Sequence, residues 1–505
     1  MTVTVDAAAA APGRGYRETL GMLSGAFLAM TLAALDQAIV MPALPAIAHD
    51  LRGLDRLSWV VVAYLITSTT MTLVYGKISD MYGRGKVLLI AITLFVGASA
   101  LCALAQDMTQ LVIARGLQGM GAGGLLVMAQ AMIGDLVTPR ERGRYQAFVS
   151  AVFAVSSISG PPLGGFLVEF DWRWCFWINL PLGAIAFVLC SRVASRLPQG
   201  HQRRNIDYLG LALLTGSVTG FLLACSWGGT TYPWLSSPVA SAVVVGALLL
   251  GAFVWREQRT VEPIFPPRLF AKNDVRLADA IGFFMSMLVF ASLVLLPSFL
   301  QLVMQIDPGR SGVILVSLLA GTTIGSLVAG QIMHATGRCA QILPFSLGLT
   351  TAGFLLLSTM HAATSPALTM AYMFAVGTGL GACYPVLNAT VQNAAGRGDI
   401  GVATSSIMFA RSLGGAFGAA VFWSLLLGFL SVPGGTGKEQ LLSLPFIGAH
   451  ATMGALPSKG AAALVAGLER AFHAVFLIGA GVALIAVVLS AQIRGEPLKA
   501  AHASH

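Results

Sequence analysis

Of the 505 residues 56% are hydrophobic and only 10% charged, with a mean hydropathy of +0.79; this excludes an ordinary soluble globular protein, in which about 25% of residues are charged. Apolar runs of about 20 residues recur from end to end, long enough to cross a ~30 Å hydrocarbon core as helices. They lack the alternation of barrel strands, so the chain is expected to be an all-α polytopic membrane protein. The net charge of +9 is spread over the connections between runs, which excludes a nucleic-acid footprint.

Taken in order, residues 1–19 form a polar, Ala-rich tail with no apolar core of a signal peptide before the first run. Fourteen spans are then predicted, at 20–42, 57–75, 87–105, 110–133, 145–168, 174–195, 207–227, 237–256, 277–301, 311–334, 341–359, 367–390, 401–430 and 470–492, with a tail at 493–505. Most connections are short. The charged 257–276 segment is longer, as is 431–469, whose Pro433-Gly434-Gly435 and later Gly/Ala/Leu run predict an extracytoplasmic loop with one interfacial helix. Placing both tails in the cytoplasm puts 21 of the 30 Lys and Arg on that side, among them Arg140, Arg142, Arg144, Arg203 and Arg204, with 7 outside and 2 in the membrane. The positive-inside rule therefore predicts a cell-membrane protein with both termini cytoplasmic. The six cysteines include no CxxC pair, and Cys102, Cys190, Cys225 and Cys383 lie in apolar runs, as buried small hydrophobes do.

A charged, glycine-bracketed turn, Gly76-Lys77-Ile78-Ser79-Asp80-Met81-Tyr82-Gly83-Arg84-Gly85-Lys86, recurs in eroded form at Gly330-Gln331-Ile332-Met333-His334-Ala335-Thr336-Gly337-Arg338, 254 positions later. Aligning the copies matches spans 1–6 to spans 9–14 and leaves spans 7 and 8 as an inserted pair. The glycines of Gly119-Met120-Gly121-Ala122-Gly123 and Gly377-Thr378-Gly379-Leu380-Gly381 agree with that register to within a few residues. Two six-helix halves, 20–196 and 277–492, joined by 197–276, are a transporter architecture with substrate expected near the midplane.

Asp36 lies well inside span 1, in Leu35-Asp36-Gln37-Ala38-Ile39-Val40-Met41-Pro42. A carboxylate at that depth is costly, so it either loads and releases protons beside a cavity or only hydrates the helix near a water-filled mouth. Gln37 beside it is a candidate cavity residue. Arg115 and Gln118, three apart in span 4, share one helical face. Asp36 is the obvious counter-charge for Arg115, either as a switchable lock or as a structural pair fixing two helices. Span 5 contains Ser159-Gly160-Pro161-Pro162-Leu163-Gly164-Gly165, which predicts a kink and close helix approach, read as a hinge or seal: Gly160, Pro161, Pro162, Gly164 and Gly165. In the opening turn, Gly76 and Gly83 allow tight approach, and Asp80, Arg84 and Asp135 form either a charge network holding an outward-facing state or ordinary positive-inside anchoring. Tyr384, Asn388 and Gln392 recur every four residues in span 12, as cavity lining or as interhelical hydrogen-bonding groups. Arg411 stands inside span 13 before Gly414-Gly415, a candidate conformational residue.

These motifs resemble the major facilitator superfamily, and the span count its fourteen-span drug:proton antiporter branch; the match covers nearly the whole chain. The Gly76–Lys86 turn is similar to the superfamily's signature between spans 2 and 3, although Met81 and Gly85 depart from positions usually basic. Leu35-Asp36 through Pro42 resembles the span 1 signature, which implies that Asp36 is the proton-coupling acid. Arg115-Gly116-Leu117-Gln118-Gly119 resembles the span 4 motif, whose Arg is associated with proton transfer. Gly160-Pro161-Pro162-Leu163-Gly164-Gly165 looks like the span 5 antiporter motif, with Ser156 where a glycine often stands. Trp172-Arg173-Trp174-Cys175-Phe176-Trp177-Ile178-Asn179-Leu180-Pro181 is also typical of the branch.

The resemblance implies a major-facilitator-type fold and a non-enzymatic, proton-driven exporter of lipophilic cationic or zwitterionic drugs. Its partners would be a drug-like small molecule, protons, the lipid bilayer and, as a candidate, a periplasmic adaptor protein. No cofactor or metal is implied beyond the proton motive force. An exporter dedicated to one endogenous antibiotic, siderophore or amphiphile is the first alternative, and a non-transporting scaffold or receptor the second. An ATP-driven pump lacks its GxxxxGK[ST] phosphate loop.

Overall fold

The structure, a computed structural model, describes residues 16–51, 57–137, 141–194, 207–228, 232–260, 267–306, 308–337, 340–395, 399–429 and 458–493. Arg140, Arg203, Arg204, Arg338, both tail ends and most of the predicted 431–469 loop lie outside them. Helices account for almost every described residue, because a helix satisfies its own backbone hydrogen bonds where lipid offers none.

The first half contains α1 (Tyr16–Asp50), α2 (Leu57–Tyr82), α3 (Arg84–Ala103), α4 (Met108–Leu136), α5 (Arg142–Val168), the short α6 (Trp174–Trp177) and α7 (Asn179–Ala194). α8 (Tyr208–Trp227) and α9 (Ser237–Glu257) follow, then the short α10 (Pro267–Phe270). The second half contains α11 (Asn273–Leu302), α12 (Pro308–Thr336), α13 (Ile342–Leu357), α14 (Pro366–Ala394), α15 (Ile400–Phe429) and α16 (Ser458–Ser490). Among the described residues eleven helices are long and apolar enough to cross a membrane, or twelve with α5 counted across its bend; α8 and α13 carry shorter apolar stretches, Leu209–Cys225 and Ile342–Leu357. The helices outrun the predicted spans. α16 starts at Ser458, twelve residues before 470, because Glu469 and Arg470 end the apolar run but are good helix formers.

The pairing of helices repeats in the register of the duplicated turn. α1 packs on α5 and α7 as α11 packs on α15 and α16, and α4 packs on α2 and α3 as α14 packs on α12 and α13. The glycines act alike in both copies: a Cβ at Gly119 or Gly123 would strike the α2 backbone at Tyr64 or Ser68, and one at Gly377 or Gly381 the α12 backbone at Leu318 or Thr322. Both turns need a glycine in the left-handed region, Gly83 at φ 91° and Gly337 at φ 66°, which a side chain would strain. The halves meet through α5 with α12 and α14, and through α15 with α2 and α4.

α8 pairs with α9 and lies against both α2 and α15, so the inserted pair touches both halves. Asp207 caps α8, accepting from the Gly210 amide at 3.0 Å, and also accepts from Arg256 Nε at 3.0 Å, tying the pair at one end. The five cysteines described, Cys102, Cys175, Cys190, Cys225 and Cys383, are buried free thiols; Cys339 lies outside the described residues.

α5 is bent by 41° between Ala151–Ser157 and Pro162–Val168, as expected where tandem prolines remove backbone donors. Its Gly160 and Gly164 lie one turn apart against α1, where a Cβ would collide with Ala38 and with the Ile39 carbonyl; Gly165 faces open space. Gly164→Val should therefore cost about 1–3 kcal/mol by overpacking. Gly165→Val should stay within about 0.5 kcal/mol. Thermal unfolding of the purified protein in detergent compares them, and equal effects would remove the α1–α5 contact as the reason for Gly164.

Candidate functional site

The first site lies where α1, α2, α4 and α7 converge. Asp36 is 0% exposed in the middle of α1 and accepts three hydrogen bonds. Arg115 Nη1 donates to Oδ2 at 2.7 Å, and Gln118 Nε2 and Asn179 Nδ2 donate to Oδ1 at 2.9 and 2.7 Å. The i, i+3 spacing on α4 brings Arg115 and Gln118 to the same carboxylate, and Arg115 Nη1 also donates to Gln118 Oε1 at 2.7 Å. Arg115 Nε reaches the Val60 carbonyl at 3.2 Å, and the guanidinium lies 4.2 Å from the centre of the Tyr64 ring. Asn179 is itself held by Ser99 Oγ at 3.0 Å, whose hydroxyl donates to the Phe176 carbonyl at 2.9 Å. Gln37, the next residue of α1, is exposed.

Chemically this is a charge pair that one proton disrupts. Three N–H donors already occupy three of the carboxylate's four lone-pair sites, two on Oδ1 and one on Oδ2, so a proton would take the last site while removing the charge that Arg115 requires. The network would have to rearrange.

The second site is the Gly76–Lys86 turn, which joins the halves. Asp80 Oδ1 stands 2.7 Å from Arg84 Nη2, and Arg84 Nε stands 2.5 Å from Asp135 Oδ2. Asp80 also accepts the Gly401 and Val402 amides, both at 3.2 Å, at the first turn of α15 in the other half. Those amides have no intrahelical partner, and a carboxylate at a helix N-terminus is favoured by the helix dipole. Gly76 packs so closely that a Cβ there would lie 2.7 Å from Ser405 Cβ. Nearby, Asn388 Nδ2 donates to Gln130 Oε1 at 3.1 Å across the interface, and Gln392 Nε2 donates to Thr404 Oγ1 at 3.0 Å. Asn388 and Gln392 are thus buried in the contact between halves, while Tyr384, one turn earlier, is half-buried. Lys86 is exposed.

The departures from the signature have physical reasons. Met81 is buried, and a Cβ at Gly85 would lie 2.7 Å from Ala194 Cα, so a basic side chain at Gly85 would collide with α7.

In the second half Arg411 is buried; its guanidinium lies 4.8 Å from the centre of the Tyr384 ring and its Nη2 donates to the Tyr384 carbonyl at 3.4 Å. On the facing helix the buried Asp279 accepts from Ser406 Oγ at 3.2 Å. Asp279 did not emerge from the sequence as a candidate, although Leu277-Ala278-Asp279-Ala280-Ile281-Gly282 carries the same signal as Asp36, an acid in an apolar run. Asn179, read only as part of a motif, is a direct partner of Asp36. Gln130 and Gly401 also went unnoticed, since their roles depend on contacts about 260 and 320 residues away in the chain.

The family model described as Major Facilitator Superfamily matches residues 26–419. An uncharacterized MFS-type transporter of Mycobacterium tuberculosis is 36% identical over 473 residues, which cover 93% of this chain and 69% of the relative. The multidrug transporter protein MdtP of Bacillus subtilis is 36% identical over 418 residues, 82% of this chain and 76% of the relative. Among solved structures, that of the human organic anion transporter MFSD10 superposes with a TM-score of 0.63 at 16% identity, over 94% of this chain and 99% of that one, a likeness of fold. With this match and these relatives, the chain belongs to the major facilitator superfamily and is a multi-pass membrane transporter, not an enzyme.

Proposed function

We propose that the chain is a proton-coupled exporter of lipophilic cationic or zwitterionic compounds, of the fourteen-span antiporter type, with α8 and α13 as spans and both termini cytoplasmic. The observation that carries this reading is the sealed Asp36, held by Arg115, Gln118 and Asn179 in an arrangement a single proton disrupts. A structural pair would serve as well with fewer charges, whereas a carrier needs a group whose charge state changes the helix packing.

The packing supplies a route from that proton to the rest of the molecule. Gly160 and Gly164 of α5 grip α1 at Ala38 and Ile39, a few residues beyond Asp36, and α5 in turn lies against α12 and α14 of the other half. Release of α1 from α4 is thereby passed to the interface between halves. The contacts made by Asp80 close the turn end of the bundle, the cytoplasmic end in this reading, and correspond to an outward-facing state. A proton arriving from outside neutralises Asp36 and resets the carrier inward after the substrate has left; rocking of the halves supplies alternating access.

The test uses the full chain in proteoliposomes with ethidium as the cationic probe. An inside-acid pH gradient should drive ethidium accumulation, nigericin should abolish it, and Asp36→Asn should reduce it at least tenfold while folding normally. Uptake indifferent to nigericin would end the proton-coupling reading, and full uptake by Asp36→Asn would end the assignment of Asp36.

A further inference from the structure

The buried Arg411 and Asp279 of the second half are not paired as Arg115 and Asp36 of the first half are. Arg411 is 8% exposed, yet among the described residues its Nε has no hydrogen-bond partner, and the side-chain hydrogen bond it makes there, to the Tyr384 carbonyl, is long at 3.4 Å. The acid within its electrostatic reach, Asp279, is turned to Ser406 Oγ at 3.2 Å and makes no ion pair with it among the described residues. A guanidinium inside a membrane protein needs a counter-charge or carbonyls, and Arg115 in the other half has both. Arg411 has only that long carbonyl bond and an aromatic face, with its Cζ 4.8 Å from the ring centre of the half-buried Tyr384.

We propose that Arg411 and Tyr384 form a subsite for the carboxylate of an aromatic substrate. The unpartnered Nε and the neighbouring guanidinium N–H groups form the planar fork that matches a carboxylate, a geometry a lysine cannot supply. The Tyr384 ring beside the fork gives an aromatic substrate a surface to stack on. Substrate binding would then supply the direct ion pair that no described residue makes with Arg411, and the exporter would favour zwitterions over the corresponding esters. This rests on the reading of the chain as an exporter of amphiphilic compounds, and it adds the group those compounds must carry.

The test is a binding measurement, so that it stands apart from proton coupling. Rhodamine 110 has a free carboxyl group, and rhodamine 123 is its methyl ester. Their affinities for the full chain purified in detergent are compared by fluorescence anisotropy at pH 8. The wild type should bind rhodamine 110 more tightly relative to rhodamine 123, and Arg411→Gln should shrink that ratio by about tenfold or more while rhodamine 123 binding persists. Arg411→Lys, which keeps the charge but not the fork, should lie between. An unchanged ratio in Arg411→Gln overturns the proposal. So does loss of both dyes together in the Gln and Lys variants, which would make Arg411 structural. A failure of gradient-driven transport with the ratio effect intact would count against export alone.

Discussion

Arg115→Met should be destabilised by about 3–5 kcal/mol, the cost of leaving a buried charge without its partner. Asp36 is 0% exposed, and in that variant its carboxylate would keep only the neutral donors Gln118 and Asn179. Asp36→Asn should cost less, because Arg115 would retain the Val60 carbonyl, Gln118 Oε1 and the Tyr64 ring. The double variant should be more stable than Arg115→Met alone, since removing both charges ends the penalty that removing one creates; the coupling should amount to about 1–3 kcal/mol. Thermal unfolding of the four proteins in the same detergent gives the ranking. If the double variant were as unstable as the sum of the single ones, charge would not be what binds Asp36 to Arg115, and the proton switch would lose its physical basis.

What the sequence disclosed, and what it withheld, follows from the range of each interaction. Span positions follow from local composition, and the duplicated turn yields the register because a repeat is visible without knowing what it touches. Asp36 and Arg115 stood out because each is a charge in an apolar run, and their pairing needed only the expectation that such charges find one another. Asp279 obeys the same logic but sits seven residues into α11, close to the polar 257–276 segment, where an acid looks like the end of a span. Asn388 could not be assigned from its four-residue spacing, because that spacing fixes a helical face and not what the face meets; the partner proved to be Gln130 in the other half. Gly85 departs from a position usually basic in the signature for a reason the sequence does not show: a side chain there would meet Ala194, a contact made only when α3 and α7 pack.

Asp80→Asn should open the turn end of the bundle. Asp80 makes a charged contact between halves there: it accepts the Gly401 and Val402 amides while paired with Arg84. An asparagine has one acceptor oxygen and presents N–H groups to the remaining donors, so the contact loses its charge and part of its hydrogen bonding. Hydrogen bonds to charged groups contribute about 1.5–3 kcal/mol, so the open population should rise by roughly 10- to 100-fold. Gly401→Val should act in the same direction for a different reason, since a Cβ there would lie 2.5 Å from Arg84 Nη1 and Asp80 Oδ1. Lys86 and Arg276 are exposed and belong to opposite halves, which suits them to spin labels in double electron–electron resonance. A longer distance component should grow in both variants, whereas Gly165→Val, which meets nothing within 4 Å, should leave the distribution as it is. An unchanged distribution in Asp80→Asn would mean that the halves are held by their apolar and neutral polar contacts, with the turn serving only to anchor α2 and α3.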